Sequence, residues 1–200
     1  MELHVAGTGS FALEVVEYAR EAGHEVVGLV ELLDPGRVGT EAHGLPVVAF
    51  EGERGAVVIG AGGERLRYWA LLAEQGWSAA TVVHPRAYVS PSAVLGEGCV
   101  VGPGAVIGAG AGLGPHVLLG RGALVGHHVR IGAGATLNPG VNVAGNAQVG
   151  EGAVIGMGAL VSNGLDVGAR SVVAAGAVVV RPVEAATRVQ GVPARVFSHS

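Results

Sequence analysis

The stretch from Val89 to Val125 reads VSPSAVLGEGCVVGPGAVIGAGAGLGPHVLLGRGALV, and every sixth residue in it is aliphatic. The same spacing continues without a slip to Val179, and a glycine usually follows the aliphatic position. A period of six residues fits neither an amphipathic helix nor an alternating strand. It predicts a parallel β-solenoid, in which each hexad supplies one short strand and one turn.

The spacing also predicts which side chains fill this solenoid. Three hexads make one coil of triangular cross-section, so residues three hexads apart should stack into columns of inward side chains. The predicted columns are Val89, Ile107, Val125, Val143, Val161 and Val179; Leu95, Leu113, Ile131, Val149 and Val167; and Val101, Leu119, Leu137, Ile155 and Val173. The single cysteine, Cys99, is predicted to be a core thiol, and no disulfide framework can form.

The composition limits the chemistry that the chain can perform. Half of the chain is hydrophobic but only 4% is aromatic, so the core must be aliphatic. A formal net charge of −4 gives no polycationic face, which argues against nucleic acid as a partner. Every basic residue is arginine, which excludes lysine Schiff-base chemistry. The sequence shows no leader and no long apolar run, so we expect a soluble, cytoplasmic protein without a membrane partner.

The N-terminal residues predict a Rossmann-like unit of strand, helix and strand. An apolar strand over residues 3–7 leads through a glycine turn into an amphipathic helix from Phe11 to Ala22, and a second strand from Val26 to Val30 ends at Glu31. A helix that begins after such a turn can hold a phosphate with its free amides. In the alternative interpretation, the glycines only permit the turn.

The sequence that follows predicts the rest of an α/β domain with a short parallel sheet. The expected elements are a loop from Pro35 to Pro46, a strand from Gly55 to Gly60, a helix from Glu64 to Gln75 and a strand from Ala80 to Val83. The predicted domains are residues 1–82, the α/β domain, and residues 83–200, the solenoid with a C-terminal tail. The first domain is too short for a full dinucleotide-binding fold, which disfavours a nicotinamide cofactor.

Several local motifs give the chain a specific resemblance. In order, they are HPRAYVSPSAVLGEG from His84, VGHHVRIG from Val125, NPGVNVAGNAQVGEGAVIG from Asn138 and GVPARV from Gly191. With the N-terminal glycine turn, they resemble the sugar O-acyltransferase, sialic acid O-acetyltransferase NeuD/PglD family of hexapeptide-repeat acyltransferases. The resemblance covers essentially the whole chain and implies that the solenoid is a left-handed parallel β-helix.

The resemblance also implies an activity. Members of the family transfer an acetyl group from acetyl-CoA to a sugar, either to the amine of a nucleotide-linked amino sugar or to a sialic acid hydroxyl. They form homotrimers with CoA in a groove between the β-helices of adjacent subunits. We therefore expect a sugar acetyltransferase that uses acetyl-CoA as co-substrate and binds no metal, with the amine of a nucleotide-linked amino sugar as the preferred acceptor and a sugar hydroxyl as the alternative.

His127 occupies the position of the family's catalytic histidine, by alignment on the shared Ile131-Gly132. An imidazole suits the removal of a proton from an attacking amine or hydroxyl. In the alternative interpretation, His127 is a solvated residue at a turn and has no catalytic role. The family usually has Asp or Glu in the next position, where this chain has His128, so the group that orients His127 stays open. A carboxylate elsewhere, for example across the subunit interface, is one candidate, and His128 itself is expected to point to solvent or to support His127.

The resemblance extends to the acetyl-CoA site. Thr136 stands where the family commonly has the histidine of H-I-x-P-G, and its hydroxyl can replace one polar contact. The family otherwise contacts CoA largely through the backbone, at positions that here are Gly145, Met157 and Ala175.

The nucleotide-sugar site implied by the resemblance lies in the N-terminal domain. Its positions, all taken from the family, are Gly9, Ser10, Phe11, Glu31, Asp34 and Gly62. Phe11 replaces a histidine typical of G-G-H, and Glu31 and Asp34 stand where the family has consecutive aspartates. These substitutions affect the choice of acceptor more than the fold.

Two other functions are compatible with the solenoid. The γ-type carbonic anhydrases share it and bind zinc through three histidines, and His116, His127 and His128 are the solenoid histidines of this chain. Adjacent histidines do not provide the spaced ligand set that such a site needs. The other alternative is a non-catalytic homologue that binds nucleotide sugars, suggested by His128 and Thr136.

Overall fold

The N-terminal sequence folds into a sheet flanked by two helices. In the computed structural model, which describes residues 1–52 and 54–197, the elements follow in this order: β1 Glu2–Ala6, α1 Ser10–Glu21, β2 Glu25–Glu31, a 3₁₀ turn Pro35–Arg37, β3 Glu41–Ala42, β4 Leu45–Ala49, β5 Ala56–Ile59, α2 Arg65–Glu74 and β6 Ser78–Ala79. The sheet order is β3-β4-β2-β1-β5-β6, and all pairs are parallel except β3 with β4. The predicted α/β fold is confirmed.

Helix α1 follows from the spacing of its apolar residues. Ala12, Val15, Val16 and Ala19 recur at helical intervals and are fully buried. The helix ends before Gly23, whose positive φ of 83° turns the chain toward β2. The C-terminal ends of the parallel strands β1, β2 and β5 therefore meet the start of α1 at one edge of the sheet.

The solenoid has three faces, named here for what they present. The covered sheet contains Val82–Val83, Val100–Val101, Leu118–Leu119, Thr136–Leu137, Val154–Ile155, Val172–Val173, Arg188–Gln190 and the antiparallel Arg195–Val196. The apolar sheet contains Tyr88–Val89, Val106–Ile107, Leu124–Val125, Asn142–Val143, Leu160–Val161 and Val178–Val179. The polar sheet contains Val94–Leu95, Gly112–Leu113, Arg130–Ile131, Gln148–Val149 and Asp166–Val167.

The register of these sheets confirms the predicted columns. Ile107 pairs with Val125, and Leu119 pairs with Leu137, each three hexads apart. The inward side chains form one aliphatic core in which Cys99 is fully buried. Each buried aliphatic side chain of this kind contributes about 1.5–3 kcal/mol to folding.

The structure differs from the sequence predictions at three places. The expected loop from Pro35 to Pro46 contains the 3₁₀ turn and the β3–β4 hairpin, because His43 and Gly44 adopt the positive φ that a tight turn requires. The predicted strand from Ala80 to Val83 is two strands, since β6 pairs with β5 while Val82–Val83 pairs with Val100–Val101. The predicted domain boundary at residues 82 and 83 thus falls inside the first strand of the covered sheet.

The third difference concerns the C-terminal end of the solenoid. The hexad pattern stops after Arg181-Pro182, yet Arg188–Gln190 adds another parallel strand to the covered sheet. Arg195–Val196 then pairs with it in the antiparallel direction. The last coil is not a whole number of hexads, so the sequence period does not reveal it.

The α/β domain packs on the covered sheet. Val82, Val100 and Leu118 share one buried cluster with Leu3 and Leu29 of the N-terminal sheet. Polar contacts surround this cluster. They are Thr136 Oγ1 to the Gly62 carbonyl at 2.6 Å, Arg65 Nε to the His116 carbonyl at 2.7 Å, Arg121 to Glu14 at 2.9 Å and His84 to Glu21 at 2.9 Å. In the described part of the chain, no helix is long and apolar enough to cross a membrane.

Candidate functional site

His127 and His128 occupy the corner between the apolar sheet and the polar sheet, here called the histidine corner. The Nδ1 atoms of the two imidazoles lie 3.2 Å apart. Their rings are nearly perpendicular, at 79°, with centroids 5.4 Å apart. Both side chains are exposed. The corner therefore presents a pair of imidazoles that contact each other and are open to a ligand.

The backbone explains why these two rings meet. His128 has a positive φ of 57°. Gly110 and Asn146, which hold the same position in the neighbouring coils, also have a positive φ. This conformation turns the His128 ring back over Gly110, where an added Cβ would lie 3.1 Å from its Nε2. The main chain thereby aims Nδ1 of His128 at His127.

Gly145 provides the space that His127 occupies. It lies on the histidine corner in the following coil, and a Cβ added there would lie 2.5 Å from Nε2 of His127. The φ of Gly145 is not positive, so the backbone does not require glycine at this position. The absence of a side chain is needed because the imidazole packs directly against the main chain.

The other predicted acetyl-CoA positions lie elsewhere on the solenoid. Met157 and Ala175 are exposed at the corner between the covered sheet and the apolar sheet, here called the methionine corner. Thr136 is buried in the covered sheet, and its hydroxyl donates to the carbonyl of Gly62. One chain thus places Gly145 at one corner beside the apolar sheet, Met157 and Ala175 at the other, and Thr136 at neither corner.

Most of the predicted substrate positions line one cleft in the N-terminal domain. The cleft has a volume of about 460 Å³, within the range of small-molecule sites. Gly9, Ser10, Phe11, Glu31 and Asp34 line it, and Gly62 lies just beyond its lining residues Gly60 and Ala61. No side chain caps the N-terminus of α1 after Gly9, and the Ala12 amide donates to the Gly9 carbonyl at 3.0 Å. The amides of Ser10 and Phe11 therefore remain available to an anion.

The carboxylate of Glu31 is used inside the protein. It accepts hydrogen bonds from the hydroxyl of Thr8 at 2.7 Å and from the amides of Leu32, Leu33 and Asp34 at 3.0, 2.9 and 3.2 Å. Burial opposes its ionisation, but these hydrogen bonds outweigh that effect and hold the pKa of Glu31 below its usual value. Glu31 therefore fixes the loop that forms one wall of the cleft.

The sequence did not single out three residues of this cleft, namely Thr8, Arg37 and Tyr68. The guanidinium of Arg37 donates to the Thr8 hydroxyl at 2.7 Å, which brings a positive charge beside the start of α1. Thr8 lies inside the glycine turn, so the motif could have indicated it. Arg37 and Tyr68 come from the 3₁₀ turn and from α2, and only the tertiary structure brings them here.

The described histidines do not converge on a metal site. His116 is buried beneath Trp69, with ring centroids 4.5 Å apart, at the corner between the polar sheet and the covered sheet. His127 and His128 lie at a different corner. Within residues 1–52 and 54–197, no group of three His, Cys, Asp or Glu side chains could hold a metal ion.

Comparison with known proteins places these features in a family. Residues 79–109 and 128–163 match the family described as bacterial transferase hexapeptide (six repeats). No curated protein sequence matches the chain.

Solved structures extend the similarity to the whole chain. PerB from Caulobacter crescentus, in complex with CoA and GDP-perosamine, is 34% identical, with a TM-score of 0.91 over 99% of this chain and 98% of PerB. A variant of perosamine N-acetyltransferase from the same organism, also with CoA and GDP-perosamine, is 33% identical, with a TM-score of 0.92 over 100% and 98% of the two chains. The acetyltransferase domain of PglB from Neisseria gonorrhoeae, with acetyl coenzyme A, is 31% identical, with a TM-score of 0.88 over 98% of both chains.

Proposed function

The chain belongs to the hexapeptide-repeat acyltransferases, and we propose that it transfers the acetyl group of acetyl-CoA to the amine of a nucleotide-linked amino sugar. The observation that carries this proposal is the match over nearly the full length to PerB, whose structure holds CoA and GDP-perosamine. The exposed imidazole pair and the cleft with a helix N-terminus supply the chemistry that such a reaction needs.

His127 is the general base of the proposed reaction. Its imidazole takes a proton from the amine as the nitrogen attacks the thioester carbonyl. The C–N bond forms, the C–S bond breaks, and the same proton passes from His127 to the departing thiolate of CoA. A positioned base of this kind contributes about 10²- to 10⁴-fold in rate. No covalent enzyme intermediate is required.

The apolar sheet is the proposed contact surface of a homotrimer. The α/β domain covers one face of the solenoid, and the second face carries Arg130, Gln148 and Asp166. The third face exposes Tyr88, Val106, Leu124 and Leu160, at 58%, 37%, 40% and 42%. Asn142 is also exposed on this face, between Leu124 and Leu160, so the surface is largely but not wholly apolar. A largely apolar exposed surface is typical of an interface.

This arrangement would complete the acetyl-CoA site. A rotation axis facing the apolar sheet sets the histidine corner of one chain beside the methionine corner of the next. Gly145 would then face Met157 and Ala175 across a groove, and their backbones would contact CoA. Thr136 would act from the covered sheet, at the start of the strand that leads to the methionine corner, since its hydroxyl is bonded to Gly62.

The N-terminal cleft is the proposed site of the nucleotide sugar. The amides of Ser10 and Phe11 at the start of α1, together with Arg37, would bind the diphosphate. Gly9, Asp34 and Gly62 would shape the walls of the site. Glu31 acts by holding the loop after β2, since its carboxylate is already bonded to that loop.

Thiol release from acetyl-CoA tests the proposal. The acceptors are GDP-perosamine, a UDP-linked amino sugar, the corresponding nucleotide sugars with a hydroxyl in place of the amine, and sialic acid. We expect release only with the nucleotide-linked amino sugars. Release with sialic acid alone would overturn the proposed amine acceptor and assign a hydroxyl acceptor.

A further inference from the structure

We propose that His128 is a positioning residue for His127 and fixes the tautomer in which His127 can act as a base. This inference rests on the proposed function and goes beyond it. It names the imidazole of His128 as the group that orients His127, a question that the sequence left open. The feature that carries it is the 3.2 Å contact between the two Nδ1 atoms.

Two facing Nδ1 atoms form a hydrogen bond only when one of them carries a proton and the other presents a lone pair. With the proton on Nδ1 of His127, the Nε2 lone pair of that ring is free to accept a proton from the substrate amine. The opposite arrangement places the proton on Nε2 of His127 and removes the base. His128 therefore acts as the acceptor, with its own proton on Nε2.

Within one chain, His128 is the residue whose side chain contacts Nδ1 of His127. The coils on either side contribute Gly108–Gly110 and Ala144–Asn146 to the histidine corner, and neither segment contains a carboxylate. Arg130 lies beside this corner, and its guanidinium donates to the carbonyl of Gly110. A guanidinium has no acceptor, so it cannot replace His128.

The pairing has a consequence during the reaction. When Nε2 of His127 takes the amine proton, Nδ1–H still donates to His128, so the imidazolium keeps its orientation until the thiolate receives the proton.

The test compares three substitutions that suit the positive φ of His128. His128→Gly removes the side chain without backbone strain, since Gly110 and Gly164 hold the same position in other coils. His128→Asn and His128→Asp keep an acceptor, and both residues tolerate this conformation. Ala186→Asn is the matched control, because Ala186 is exposed, has a φ of 56° and lies on another corner.

We expect His128→Gly to lower kcat by about 10- to 100-fold, with little change in the KM for acetyl-CoA. His128→Asn should restore most of the rate. His128→Asp should also restore it and move the acid limb of the pH profile upward by about one pH unit, because a carboxylate favours the imidazolium. The control should match the wild type.

Two outcomes would overturn the inference. One is a wild-type rate in His128→Gly, which would leave the orienting group to a neighbouring subunit. The other is an equal loss in the Gly, Asn and Asp variants without a shift of the pH profile. Failure of the proposed function is distinguishable from both, since the wild type itself would then release no thiol with the nucleotide-linked amino sugars.

Discussion

The hydroxyl of Thr136 donates a 2.6 Å hydrogen bond to the carbonyl oxygen of Gly62 and so joins the solenoid to the N-terminal domain. Thr136 was predicted to contact acetyl-CoA, and Gly62 was predicted to contact the nucleotide sugar. Their contact connects the two proposed sites through a single side chain.

Thr136→Val should weaken this connection. The substitution keeps the shape of the buried side chain but removes the donor, at a cost of about 1 kcal/mol. We expect the Tm to fall by about 2–4 °C. Thr136→Ala is the comparison variant, because it removes the same donor together with the buried methyl group, so its Tm should fall further than that of Thr136→Val. An unchanged Tm in Thr136→Val would contradict an interdomain role for this hydroxyl.

Gly145→Ala should impair catalysis more than stability. The new Cβ would lie 2.5 Å from Nε2 of His127 and push the imidazole aside. Alanine suits this turn, since Ala109 holds the same position in an earlier coil. A displacement of about 1 Å can cost about 100-fold in rate. We expect this loss in kcat with a nearly unchanged Tm, and wild-type kinetics would show that the close packing has no catalytic importance.

Protonation of His116 should limit stability at acidic pH. Burial, and secondarily the charge of Arg65, lower the pKa of His116 from 6.5 to about 4. The folded protein therefore keeps His116 neutral while the unfolded chain takes up a proton. Stability is fully present above pH 6.5 and is lost as the pH falls toward 4, by about 1.4 kcal/mol per pH unit.

Urea unfolding at pH 7 and pH 5 measures this effect. We expect the wild type to lose about 2 kcal/mol more than His116→Asn between these values. Asparagine suits the φ of 56° at this position. Burial also lowers the pKa of His24. Because His24 is present in both proteins, its contribution cancels in the comparison. Equal losses in the two proteins would refute the assignment to His116.

Leu160→Glu tests the proposed trimer. Leu160 lies on the apolar sheet, where an axis would bring its copies together, and a carboxylate there would be desolvated without a partner. Light scattering should show the mass of one chain, with loss of turnover. Gln148→Glu on the polar sheet is the control and should leave the mass of three chains. A trimeric Leu160→Glu variant would place the interface elsewhere.

The hexad period predicted the solenoid interior because inward positions stack in register, as Val125 on Ile107 shows. It could not reveal the strand Arg188–Gln190, which follows a coil of irregular length. In the α/β domain, the glycine turn indicated the position of the cleft. The sequence could not show that Glu31 bonds to its own loop, because that depends on how the chain turns after β2.

The same limit applies to the histidine corner. The motif predicted a role for His127, but the contact with His128 depends on a positive φ that histidine adopts less readily than glycine. Gly145 was predicted from the family as a backbone contact. Its further role, as the space in which the His127 ring lies, follows only from the stacking of one coil on the next.

The kcat of His127→Ala with acetyl-CoA and a nucleotide-linked amino sugar tests the central claim most directly. Asn163→Ala, at the same position of the histidine corner two coils later, is the matched control. We predict that His127→Ala lowers kcat by about 10²- to 10⁴-fold while the trimer mass and the affinity for CoA stay unchanged. A kcat close to that of Asn163→Ala would contradict the assignment of His127 as the general base.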